Sequence, residues 1–139
     1  MNSRLNISLR EKRGLVYGVD SSVTSYTDAG IFTIYYGVDS DDLDKSLSLV
    51  HKELSRLREE RLTPLKLGTV KKQLIGQMGV SSDNSESLSL GIARTFLHQN
   101  RCDSFEEIAK RFMSISSTEL LEVANEVFDE QKLFSLIYK

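Results

Sequence analysis

The chain has 139 residues, 40% of them apolar and 27% charged, with a formal net charge of −2 and a pI near 5.7. That length and composition suit a single globular domain with its own core, and a mild acidity in which bases alternate with acids argues against a nucleic-acid partner. No stretch nears the ~18 uninterrupted apolar residues of a membrane span and no signal peptide is visible, so no membrane contact and a cytoplasmic location are expected.

The first segment is the least ordinary. From Arg4 to Tyr17 it reads RLNISLREKRGLVY. Leu5 and Leu9 are four apart with Ile7 between them, which predicts a short helix carrying Arg4, Arg10, Lys12 and Arg13 against one acid, Glu11. Gly14 is a helix stop, and the bases before it suit the negative end of the helix dipole. Leu15-Val16-Tyr17 then begins an extended run, so a basic helix end delivers Tyr17 to the start of a strand.

Tyr17 to Tyr26 and Ile31 to Val38 are rich in β-branched and aromatic residues and are separated by Thr27-Asp28-Ala29-Gly30, which predicts a hairpin. In the second strand Phe32, Ile34, Tyr36 and Val38 share one face while Ile31, Thr33, Tyr35 and Gly37 share the other. Both faces are largely apolar, so the strand is expected to be covered on both sides, or packed on one and lining a cavity on the other.

Asp39-Ser40-Asp41-Asp42 provides a cap and an acidic first turn for an amphipathic helix of about five turns, whose buried stripe is Leu43, Leu47, Val50, Leu54 and Leu57. Lys45, Lys52, Glu53, Arg56, Arg58 and Glu59 fall on its solvated face. Thr63-Pro64 restarts a helix, Pro64 taking the first position where a missing N–H costs nothing. Leu67, Val70, Leu74 and Met78 continue at helical spacing, and Gly68, Gly76 and Gly79 suggest close packing. The polar run Ser81 to Ser87 marks a bend before Leu88, Ile92, Phe96 and Leu97. Asp103-Ser104 caps a short helix with Phe105, Ile108, Ala109, Phe112 and Met113. Ser116 to Glu119 opens another with Leu120, Val123, Ala124, Val127 and Phe128 as its buried face, and Leu133 to Tyr138 reads as a closing strand. The expected fold class is α+β, a small antiparallel or mixed sheet packed against several helices as one domain over residues 1–139.

No complete active site emerges from these residues. His51 and His98 have no second histidine at a ligand spacing. Cys102 is a lone thiol in a polar turn and allows neither an internal disulfide nor a cysteine zinc site. Asp41, Asp42 and Asp44 are better explained as helix-capping acids than as metal ligands. Neither a glycine-rich phosphate loop nor a G-x-S-x-G elbow is present. Arg10 and Tyr17 remain, seven apart across a helix end and a strand start.

The string S-R-L-x-x-x-L-R-E-K-R-G-L-x-Y over Ser3 to Tyr17, with the DDLDKSLSLVHKELSRL and TPLKLGTVKKQLIGQM helices, resembles the C-terminal half of M16-family zinc peptidases, the processing-peptidase, insulinase and pitrilysin relatives. The resemblance covers essentially the whole chain. It implies two similar α+β domains around a chamber, with zinc held in the N-terminal one by an inverted H-x-x-E-H motif that has no counterpart here. The chain is therefore expected to bind no metal and to be inactive alone. It further implies that Arg10 and Tyr17 reach a peptide substrate across the chamber. Arginine offers a fixed fork of donors and a phenol can donate to a developing oxyanion. Since relatives carry strands and a helix before the point matching Met1, the chain is also expected to be an N-terminally incomplete domain. Its partners would be a peptide, an N-terminal domain or partner subunit, and further copies joined through an open sheet edge. The alternative is a peptide-binding or scaffold subunit without catalysis.

Overall fold

The computed structural model describes residues 3–82 and 84–138, with the side chains of all but Ser81, Ser82, Ser87 and Gln99. Two compact units are present, one formed by residues 1–60 with 121–139 and the other by 61–120.

The first unit begins with a helical turn that is π-helical over Asn6–Glu11, as the Lys12 N–H bond to the Ile7 carbonyl records. It ends as the sequence predicts, at Gly14, whose φ of 62° is left-handed. The Gly14 N–H donates to the Arg10 carbonyl at 2.8 Å, the 5→1 bond of an αL closure, and the Leu15 N–H reaches back to the Leu9 carbonyl at 2.9 Å. Leu9 and Leu15 are both buried, in one cluster with Val16, Val50 and Leu54. Strand β1 (Val16–Ser25) pairs antiparallel with β2 (Gly30–Val38). Phe32, Ile34, Tyr36 and Val38 are half-buried, while Ile31, Thr33 and Tyr35 are exposed, so the second face of β2 is open rather than covered.

Helix α1 (Leu43–Glu59) follows a 3₁₀ turn at Ser40–Asp42, and its capping residue Asp42 makes no side-chain bond to the helix's backbone N–H groups, contrary to the expected cap, its Oδ1 accepting instead from Lys45 Nζ at 3.4 Å. Its buried ridge is Ser46, Val50, Glu53 and Leu54, displaced from the leucine stripe. Glu53, expected in solvent, is only 8% exposed and lies 3.5 Å from the Arg56 guanidinium. The one-turn spacing from Val50 to Glu53 to Leu57 carries that carboxylate to the covered side while its end meets a cation. In the same unit Phe128 stands edge-on to Phe32 with centroids 5.0 Å apart, and Asn125 Nδ2 donates to the Arg58 carbonyl at 3.0 Å.

The expected closing strand is not observed. Leu133 packs against the core cluster, but Leu133 to Tyr138 joins no ladder among the described residues, and Phe134 is 94% exposed. High β-propensity says that side chains suit a pleated surface; a strand also needs a neighbour for its N–H and C=O groups, and here the sheet has two strands.

The second unit contains α2 (Pro64–Ser82), α3 (Ser85–Gln99) and α4 (Phe105–Ser114). Thr63 opens α2 by accepting from the Lys66 and Leu67 N–H groups. As the predicted bend requires, α2 ends at Ser82 and α3 begins at Ser85, with Asp83 lying outside the described residues. Leu67 is buried, whereas Val70 and Leu74 are exposed. Gly68 and Gly76 face open space, and Gly79 alone of the three sits near a neighbour, the Phe105 ring. Lys71 Nζ donates to the Met113 carbonyl at 2.8 Å, and Asp103 accepts from Arg101 and Arg111. Both predicted helix starts are capping boxes: Ser104 with Glu107 opens α4, and Ser116 with Glu119 opens α5 (Ser117–Val127). In α5 Ala124 is buried, but Leu120, Val123 and Val127, expected in the stripe, are exposed. Among the described residues no helix is long and apolar enough to cross a membrane.

Leu9, fully buried at the helix-to-strand junction, should lose about 2–5 kcal/mol of stability when replaced by alanine. Phe134→Ala should leave the urea midpoint unchanged, and a similar loss in both variants would misplace the core. The Glu107 and Glu119 carboxyls lie below the usual glutamate value, each chiefly because a capping serine's backbone N–H donates to it. Folded values below unfolded ones mean that this stabilisation is complete above the unfolded pKa, about 4.3, and lost as pH falls through the folded value. The thermal midpoint gap between the native chain and Glu107→Ala, followed by circular dichroism, should therefore narrow from pH 7 to pH 3.

Candidate functional site

Arg10 lies within the π-helical turn and is exposed, and its guanidinium makes no hydrogen bond or ion pair among the described residues. Arg13, from the same basic run, folds back instead and donates to the Ser8 carbonyl at 3.0 Å. The turn packs on β1, so Arg10 and Tyr17 belong to neighbouring elements of one unit.

Tyr17 occupies an irregular position in the ladder. Val16 pairs with Val38 and Gly18 with Gly37, so Tyr17 is an extra residue on β1, a bulge. Bulges bend a strand and re-aim a side chain. Here the neighbours Val16 and Tyr17 separate completely, Val16 into the core and Tyr17 outward with 74% of its surface exposed. The Tyr17 ring passes over Gly37, where a Cβ would stand 3.8 Å from Cδ2. Its hydroxyl donates to Asp39 Oδ1 at 2.9 Å. That bond, and the negative charge on Asp39, raise the phenol's pKa above its ordinary value, because ionisation would set phenolate against carboxylate.

Beside the ring is an open depression of about 440 Å³ lined by Tyr17, Gly18, Val19, Asp20, Tyr35 and Gly37. Asp20 and Tyr35 face each other directly across the two strands. Sequence reasoning singled out Tyr17 but missed Asp20, Tyr35 and Asp39. Two signals were available: Asp20 is an acid in mid-strand, where aspartate is disfavoured, and Tyr35 alternates onto the outer face of β2. His51, His98 and Cys102 are exposed. Among the described residues no three of histidine, cysteine, aspartate and glutamate are grouped to hold a metal ion.

The chain is similar to known proteins over most of its length. The model described as peptidase M16 inactive domain matches residues 1–74. A Bacillus subtilis protein named an uncharacterised zinc protease is 27% identical over 137 residues, covering 99% of this chain and 34% of the relative. One of the same description from Streptomyces coelicolor is 28% identical, with 99% and 30% covered. The chain thus spans about a third of the length of these relatives. Among solved structures, a conserved protein of Enterococcus faecalis superposes with a TM-score of 0.75 at 26% identity, over 88% of this chain and 28% of that one. A peptidase M16 inactive domain from Pseudomonas fluorescens gives 0.76 at 22% identity, over 90% and 30%.

The Tyr17–Asp39 bond can be read by titration. Since the folded pKa is raised, its contribution is fully present below the ordinary tyrosine value of about 10 and is lost as pH climbs through the Tyr17 value. In Asp39→Asn the Tyr17 midpoint, followed by Cζ chemical shift, should fall back towards that ordinary value. An unmoved midpoint would remove Asp39 as the cause.

Proposed function

The chain belongs to the peptidase M16 inactive-domain family, and from that premise we propose that it is the substrate-binding, non-catalytic half of a zinc-dependent endopeptidase acting on peptides within a chamber. The observation that carries the reading is the bulge at Tyr17, which turns a phenol out of a packed strand and holds it over Gly37.

Among the described residues no donor set is grouped to hold zinc, and metal chemistry would fall to an N-terminal domain or partner subunit. The exposed side chains of Phe134, Leu136 and Tyr138 support an association of that kind. This chain's own part is binding and orientation. Arg10, with its fork of donors uncommitted, would take a peptide carbonyl or carboxylate, and π-helical turns recur at functional positions. Tyr17 would donate to the oxyanion that develops at the scissile carbonyl.

A second reading, a scaffold or peptide-binding subunit without catalysis, is favoured by one specific fact. A phenol has a single hydrogen, and that of Tyr17 is given to Asp39. Tyr17→Phe in the complete peptidase separates the two. An interaction made only in the transition state should lower kcat and kcat/KM together, by about tenfold or more, with KM little changed. Unchanged kcat removes Tyr17 from the chemistry and leaves the scaffold reading.

A further inference from the structure

We draw no further inference here: the strongest candidate, the exposed apolar patch of Phe134, Leu136, Ile137 and Tyr138 at the end of the first unit, carries nothing, because nothing in the structure shows what covers it.

Discussion

The junction between the opening turn and β1 depends on the closure at Gly14. Two backbone bonds, Gly14 to Arg10 and Leu15 to Leu9, reverse the chain within one residue in left-handed conformation. The closure satisfies carbonyls that a helix end would otherwise leave orphaned, and it buries Leu9 and Leu15 in one cluster with Val50 and Leu54 of α1. A side chain with a Cβ at position 14 would strain that geometry, and relaxing it would release β1 from α1. The same closure fixes Arg10 on the exposed side of the turn, because Leu9 before it is committed to the core.

From this anchored start, β1 departs from its ladder almost at once. Without the bulge, strict alternation after Val16 would hold to the register of β2, and Tyr17 would have a partner of its own across the ladder. The extra residue instead leaves Tyr17 unpaired and places Gly18 opposite Gly37. A bulge sacrifices ladder regularity, so its position beside two glycines, a tyrosine pair and two carboxylates associates an irregular backbone with the most chemically distinctive surface of the unit.

Much of the architecture was legible in the residues because it depends on local rules. The Gly14 stop, the hairpin, the Pro64 start and both serine capping boxes follow from turn and cap chemistry that acts within a few residues. What was not legible depends on distant partners. Leu133 to Tyr138 has strand composition but no neighbour, and Glu53 was assigned to solvent because charge alone does not reveal that a helix ridge will be covered. At the site, Tyr17 was found through resemblance, and its bulge was invisible because alternation in sequence carries no record of register. Asp39 was read as part of a helix cap and instead holds the phenol.

That exchange of roles bears on how a tyrosine tied to a carboxylate could assist a reaction. The bond to Asp39 is exposed and therefore worth little in water, yet it restricts the ring to one orientation over Gly37. An oxyanion competes with a carboxylate for the same hydrogen, and it does so best where water is excluded and charge has newly formed.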